Sequence, residues 1–549
     1  KLFDNYTAKR RFEKKVLPAY LQSCRWFGGK SRKIVSLELS HFPKIEVGDT
    51  PAFFLSIRAR YTDGLPETYF LPVTFLTNAE QIVRYLKNEN QSVVCYLKTP
   101  EAEGIIIDAI HEEVFRNELF WRIKSNDKIG VQGGDLSFES GRILDKLKVE
   151  REDVFSEVLR AEQSNTSVIY NNQFFFKIYR KLDTDINPDL ELVRFLSERT
   201  SFEHSPRYGG GIQFEDRVEK TFTILGLLQN KIPNQGEAWT MMLAALNRYY
   251  EKILTKVKRD EPAPPLVRAE RVYFDQTPER LQRFIGSVMH ERATLLGVRT
   301  AEMHIALSSD HQDTDFCPER FTRNYQRSIY SQHRKLVNEK LSALERRLPE
   351  LPEHIAAEAK RILEIKDDIM DCFRQIYDDK IEATKIRVHG DYHLAQVLFD
   401  GRDFFIIDFE GEPMYSISER RLKRTPFKDV AGMIRSFHYA AYGQLVLNQN
   451  YRKADMPLLE EWANQWFHYV SQYFLSAYLD KAQEHDFVPD DKEAMELLLR
   501  IYILEKAIYE VGYEMNARPE WLRIPIRGVL YAMEGFKGSK KLAGQDKNE

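Results

Sequence analysis

The chain has 549 residues, 43% of them apolar and 12% aromatic, enough for sizeable cores and too much for wholesale disorder. Lys and Arg number 80 and Asp and Glu 83, a formal charge of −3, which argues against a globally basic nucleic-acid binder. No apolar run approaches the roughly 18–20 residues of a membrane span, and mean hydropathy is −0.48, so a soluble protein of about three to four modules is expected.

The four cysteines, Cys24, Cys95, Cys317 and Cys372, are scattered without metal-ligand spacing. Neither a disulfide framework nor a zinc site is expected, and a reducing cytosol is the simplest home. The chain opens Lys1-Leu2-Phe3-Asp4, with no initiator Met and no charged-then-apolar leader. A trimmed chain or a piece of a longer polypeptide is expected, without a secretion signal.

Residues 1–103 read as a small sheet with one helix over 12–20. Phe53-Phe54-Leu55 and Tyr69-Phe70-Leu71 are the strand cores, and Val47-Gly48-Asp49 and Asp63-Gly64 the turns. Trp26-Phe27-Gly28-Gly29-Lys30 reads as a loop packed by its tryptophan. Residues 104–232 open with a helix expected over 108–123 and turn strand-rich. Val168-Ile169-Tyr170 and Phe174-Phe175-Phe176-Lys177-Ile178-Tyr179 flank Asn171-Asn172-Gln173 as a β-hairpin. Lys177, in an otherwise apolar strand, must find an anion or reach solvent. Residues 233–549 are mostly helical, interrupted at Pro262, Pro264 and Pro265. Leu336, Val337, Leu341, Leu344 and Leu348 form one apolar stripe. Ile355, Ala359, Ile362, Ile369 and Phe373 form another beyond Pro349 and Pro352, the pattern of an antiparallel helical hairpin. There is no internal repeat, and no low-complexity tract beyond the polar tail from Lys537.

The chemistry concentrates in two loops. A short strand delivers His389-Gly390-Asp391, Gln396 follows, and a hairpin leads to Asp408-Phe409-Glu410-Gly411-Glu412. Phosphoryl transfer needs this set: one carboxylate to orient the attacking hydroxyl, and oxygen ligands to hold Mg²⁺ against nucleotide phosphates. The order of base, amide and metal carboxylate is that of the protein kinases. Lys177 then takes the place of the phosphate-binding lysine, with Glu191, on a helix opening at Asn187-Pro188-Asp189, as its candidate partner. Gln163, Ser164, Asn165, Thr166 and Ser167 stand where a glycine-rich loop would, so backbone N–H groups and hydroxyls would cover the phosphates.

These motifs, with Glu419-Arg420-Arg421-Leu422-Lys423-Arg424, Asp429-Val430-Ala431-Gly432, Arg299-Thr300-Ala301-Glu302-Met303-His304 and Lys506-Ala507-Ile508-Tyr509-Glu510-Val511-Gly512-Tyr513-Glu514, resemble those of the bacterial maltokinases. Trp26-Phe27-Gly28-Gly29-Lys30 and Arg518-Pro519-Glu520-Trp521 fit the same pattern. The resemblance covers essentially the whole chain. It implies an α+β, bilobal, protein-kinase-like (aminoglycoside-phosphotransferase-like) fold: a cap subdomain over 1–103, an intermediate and small-lobe region over 104–232, and a mostly helical C-lobe over 233–549. It implies ATP and Mg²⁺ as cofactors and maltose as acceptor, with maltose 1-phosphate feeding α-glucan synthesis in the cytoplasm. A trehalose synthase, fused or associated, is the expected partner; no nucleic acid and no membrane are expected. Asp391 would be the catalytic base, Gln396 and Asp408 the metal ligands, and Lys177 the phosphate ligand. Lys506, Tyr509, Glu510 and Tyr513 lie near one helix face and would bind sugar, although core tyrosines with a snorkelling lysine give the same pattern. His393, Arg435, His438 and Trp521 are further sugar candidates with packing or capping as the alternative, and His304 reads either way. Asp429 is expected to cap a helix over 430–440. Rival readings are a glucosamine or aminoglycoside kinase and a catalytically silent partner of trehalose synthase.

Overall fold

The computed structural model describes residues 3, 5–41, 43–48, 50–131, 133–159, 164–259, 261–267, 269, 271–448 and 450–533. Gln163 and the tail from Lys537 lie outside them. The chain divides into two compact units. One comprises Lys1–Arg199, Ser205–Ile232 and Met414–Arg420, the other Thr200–His204, Pro233–Pro413 and Arg421–Glu549.

Among its described residues the first unit holds two antiparallel sheets of seven strands each. In the first sheet the main strands run in the order Ile34–His41, Ala52–Tyr61, Glu67–Leu76, Glu103–Asp108, Val93–Lys98. The two expected strand cores pair across the Asp63-Gly64 turn, where Gly64 takes a φ of 75°. The N-terminal helix starts earlier than its apolar pattern suggested, as Tyr6–Arg11, a wider π turn over Phe12–Val16, and Leu17–Ser23. The helix expected over 108–123 forms but starts later, as Glu113–Lys124: the strand Glu103–Asp108 runs up to its expected start, and Ala109–His111 is a single 3-10 turn. The run Ile105-Ile106-Ile107 favours an extended backbone, and the Asp108 carboxylate then accepts from the Ile110 N–H at 3.2 Å, ending the strand in a turn.

The second sheet has the order Lys128–Val131, Gly134–Ser140, Tyr208–Asp216, Thr221–Asn230, Phe174–Tyr179, Asn165–Tyr170, Ser156–Leu159. Its hairpin is the one expected. Asn171 and Asn172 both adopt positive φ, 50° and 56°, the backbone a tight hairpin turn demands, and Ser167 lies opposite Lys177.

The second unit is mostly helical, with Trp462 and Trp466 among its largest buried side chains. The proline-rich interruption is a strap along the Met456–Ala482 helix. Gln465 donates to the Pro264 carbonyl at 2.8 Å, and His468 Nε2 lies 2.9 Å from that of Val267. The hairpin forms, with Arg323–Arg347 as its first arm. Its second arm departs from expectation by breaking at Ile365 into Glu353–Glu364 and Lys366–Arg374. Asp367 and Asp368 fall in the first turn of the latter, where negative charge favours a new N-terminus. Among the described residues no helix is long and apolar enough to cross a membrane.

His333 joins the hairpin to the Lys492–Ala517 helix, its ring 4.6 Å from that of Phe373 and 5.9 Å from that of Tyr502. Burial, reinforced by Lys428 and Arg424, pushes its pKa down to about 3. The folded state thus refuses a proton that the unfolded chain accepts below about pH 6.5. This residue's contribution is full above pH 6.5 and is lost as pH falls toward 3, at a slope of at most about 1.4 kcal/mol per pH unit. His333→Leu is expected to flatten the acid limb of stability measured by urea titration between pH 4 and 7. An unchanged slope would show that His333 is not its source.

Candidate active site

In the first unit, the central strand Phe174–Tyr179 carries Lys177, only 8% exposed. Its ammonium lies 3.0 Å from the Asp189 carboxylate on the Pro188–Arg199 helix, and the Tyr179 hydroxyl reaches the same oxygen at 3.3 Å. The anion this lysine required is therefore found, and Asp189 is a partner the sequence reading missed. Asp189 and Glu191 both sit in the first turn of that helix, also inside the protein, and nothing local ranks one above the other. Thr166 and Ser167 belong to the neighbouring strand Asn165–Tyr170 and are buried, whereas Ser164 is exposed and Asn165 half-buried. The Thr166 hydroxyl accepts from Arg180 at 2.8 Å, and Arg180 also reaches Asp108 at 2.6 Å and covers the Trp26 ring at 4.9 Å. This is how the tryptophan loop is packed.

In the second unit, the His389-Gly390-Asp391 turn is held from behind. The Asp429 carboxylate accepts from the N–H of His389 at 2.8 Å and of Gly390 at 2.9 Å, and His304 Nε2 lies 3.1 Å away. Asp429 is not the cap it was expected to be. The helix is Phe427–Leu447, Asp429 stands in its first turn, and its oxygens face the loop. Burial would push this carboxyl up, but His304, His389 and the Gly390 N–H outweigh it and hold it below the usual range. His304 is fully buried, with Nδ1 3.0 Å from the Tyr478 hydroxyl, so its Nε2–H donates to Asp429. Gly432 lets the same helix approach the loop: a Cβ there would lie 2.7 Å from the Tyr392 carbonyl oxygen.

His389 Nε2–H donates to the Ile407 carbonyl at 2.9 Å, leaving Nδ1 to accept the Asp391 N–H at 3.4 Å, which defines the neutral tautomer. The hairpin Val397–Phe399 with Phe404–Ile406 then returns the chain to Asp408. Asp408 has a φ of 64°, left-handed backbone that costs about 1–2 kcal/mol outside glycine. Gln396 Nε2 donates to the Asp408 carboxylate at 2.8 Å. Amide and carboxylate thus converge, and turning the amide to present Oε1 would make an all-oxygen donor pair, the chemistry a hard cation such as Mg²⁺ takes.

Asp391 meets Lys506 of the Lys492–Ala517 helix, Nζ to Oδ1 at 3.1 Å, and His393 Nε2 lies 3.8 Å from its other oxygen. Burial raises the Asp391 carboxyl, but Lys506 and His393 more than compensate and hold it below the usual range. Burial also lowers His393, only partly opposed by Asp391. Lys506 simultaneously donates to Glu412 at 2.7 Å, and these two carboxylates overcome its own burial to hold its pKa well above the ordinary lysine value. One turn on, Glu510 accepts from Arg435 at 2.6 and 3.0 Å, and burial nonetheless raises its pKa. A further turn on, Glu514 accepts from Arg518 at 2.6 Å and from the Tyr439 hydroxyl at 3.2 Å. Lys506, Glu510, Glu514 and Arg518 thus form a polar ladder at four-residue spacing. Tyr509 lies against Lys506, ammonium to ring centroid 5.3 Å; Tyr513 is 51% exposed; Trp521 stacks on Tyr439 at 6.4 Å. His438 is buried behind this face, its pKa driven well down by burial and by Arg435. The structure therefore brings Asp391, His393 and Lys506 together, and Arg435 to Glu510, while Trp521 attaches through Tyr439. Glu412, Glu514 and Tyr439 were missed. The available signal was Lys506 itself, a lysine in an apolar helix that had to find carboxylates.

The basic run is a brace. Arg421 pairs with Asp315 at 3.1 Å, Lys423 with Glu319 at 2.9 Å, and Arg424 exchanges backbone hydrogen bonds with Ile386.

Known proteins agree with this architecture. A glucosamine kinase solved with glucosamine, ADP and inorganic phosphate superposes with a TM-score of 0.59 at 16% identity, over 90% of this chain and 93% of that one. The fold is the protein-kinase-like one expected, α+β with a helical C-terminal part. Residues 20–112 match the family model of the maltokinase N-terminal cap domain. Two curated relatives are glucosamine kinases. The one from Streptacidiphilus jiangxiensis is 28% identical over 182 residues, 32% of this chain and 39% of that protein. The one from Mycolicibacterium smegmatis is 29% identical over 140 residues, 25% of this chain and 32% of that protein. The chain thus spans well under half the length of the curated relatives it matches.

Removing the Asp429 carboxylate would leave two backbone N–H groups and His304 without their acceptor. Asp429→Ala is expected to cost about 3–5 kcal/mol of unfolding free energy, read by urea denaturation. A loss under about 1 kcal/mol would show the clamp to be idle.

Proposed function

We propose that this chain is an ATP- and Mg²⁺-dependent sugar kinase that phosphorylates maltose at its anomeric hydroxyl. The observation that carries the reading is the joint placement of Asp391 beside Lys506 and of Gln396 beside Asp408, with the maltokinase cap on the same chain. Asp391 orients the acceptor hydroxyl for attack on the γ-phosphate and receives its proton, while Lys506 fixes the acceptor by hydrogen bonding. Lys177 holds the α- and β-phosphates. Mg²⁺, held by Asp408 and Gln396, would neutralise the charge on the transferring phosphate.

The relatives named glucosamine kinase favour a second reading, an amino-sugar acceptor. Charge matching along the ladder supports the neutral sugar instead. Asp391 and Glu412 share Lys506, Glu510 has Arg435, and Glu514 has Arg518, so each of these carboxylates already has a cation and offers an ammonium substrate little. Tyr509, Tyr513 and Tyr439, none of them fully buried, supply aromatic faces of the kind a sugar ring can pack on. We place the activity in the cytoplasm, feeding α-glucan synthesis beside a fused or associated trehalose synthase.

The test is ADP release with maltose, glucose, trehalose, glucosamine and kanamycin, with the product identified by NMR. Turnover on maltose giving the 1-phosphate is expected; turnover confined to glucosamine would move the acceptor assignment. Asp391→Asn is expected to lower kcat by roughly 10²-fold or more with ATP binding intact, and near-normal turnover would remove Asp391 from its role. Asp408→Ala is expected to abolish the Mg²⁺ dependence of binding to a fluorescent ATP analogue; an unchanged titration would contradict it. Lys506→Met and Tyr509→Ala are expected to raise KM for sugar and leave that for ATP, a split whose reverse would relocate the sugar site.

A further inference from the structure

The segment carrying Asp408 ends in a residue that the kinase pattern leaves without a task. Gly411, at a φ of 72°, turns the chain so that Glu412 faces inward, 6% exposed. The turn is packed against the catalytic loop, since a Cβ on Gly390, itself at φ 87°, would stand 3.4 Å from the Gly411 Cα. From there Glu412 Oε1 accepts from Lys506 Nζ at 2.7 Å, shorter than the 3.1 Å from the same nitrogen to Asp391.

A lysine ammonium has three N–H donors on a flexible four-carbon stem. One is committed to Glu412 and one to Asp391, which leaves a third beside the base. With Glu412 absent, only Asp391 would hold the ammonium, which would be free to shift from Oδ1 across both oxygens of the carboxylate that an acceptor hydroxyl must approach. We propose that Glu412 is a positioning residue for the acceptor: it fixes Lys506 against the Oδ1 side of the base, so that the third N–H meets a sugar oxygen and Asp391 Oδ2 stays open to the reacting hydroxyl. The proposal rests on the sugar-kinase reading and assigns Glu412 no contact with the substrate. It also makes residues 408–412 serve both ends of the reaction, with Asp408 toward the metal and Glu412 toward the acceptor.

Glu412→Gln keeps the shape and removes the charge, and Glu412→Asp keeps the charge but shortens the reach by one methylene. Each is expected to raise KM for the sugar roughly tenfold, the loss of one charge-assisted hydrogen bond, with kcat changed less than about threefold and KM for ATP unmoved. A merely structural role would instead lower the active fraction, and so kcat, with sugar KM unchanged. The deciding measurement is a double-mutant cycle with Lys506→Met, in which adding Glu412→Gln should shift sugar KM less than about twofold because its effect runs through the lysine. Additive effects would overturn the positioning role alone. A wild-type protein that turns over none of the sugars would overturn the kinase reading, and this one with it.

Discussion

The chemistry of the second unit hangs on the Asp429 carboxylate. Two consecutive backbone N–H groups of the 389–391 turn and one imidazole converge on it in a fully enclosed setting. A buried carboxylate without donors is costly, and backbone N–H groups without an acceptor are nearly as costly. The turn and the helix are thus tied at one geometry. Everything downstream is referred to that point: the His389 tautomer, the direction of the Asp391 backbone, and the hairpin that returns the chain to Asp408.

A second constraint is charge matching on the ladder. Buried ion pairs are poor stabilisers, because desolvation offsets most of their attraction. Their value here is directional. Each cation is held by a named carboxylate, so donors and acceptors along the Lys492–Ala517 helix stand in fixed places before any ligand arrives. Preorganised polar groups in a low-dielectric setting are what a phosphotransfer site uses to orient an acceptor without reorganising.

Local signals were read correctly where the physics is local. The Asn171-Asn172 hairpin follows from residues that tolerate positive φ, and the kinase-like order of loops follows from motifs contiguous in the chain. The misreadings were also local rules, applied where a distant group prevailed. Asp429 looked like a helix cap because it stands at a helix start, but its partners are about 40 residues upstream in the 389–390 turn and, further off, His304. The helix expected over 108–123 starts late, at Glu113, because Asp108 ends a strand and its carboxylate is claimed by Arg180. Glu412 lies in full view within the Asp408–Glu412 motif, yet its partner becomes visible only once Lys506, 94 positions away, is placed beside it.

By itself the sequence determined the class of fold and, as contiguous motifs, the two acidic loops, the lysine-bearing strand and the helix over 492–517. Those depend on short-range spacing and on side-chain types that few chemistries require together. Only the tertiary structure decided which carboxylate each cation meets: Asp189 for Lys177, Glu412 together with Asp391 for Lys506, Glu510 for Arg435. The reason is physical. Coulomb attraction and hydrogen bonding act over a few ångströms in space and are indifferent to separation along the chain, so pairing is settled by packing and not by spacing.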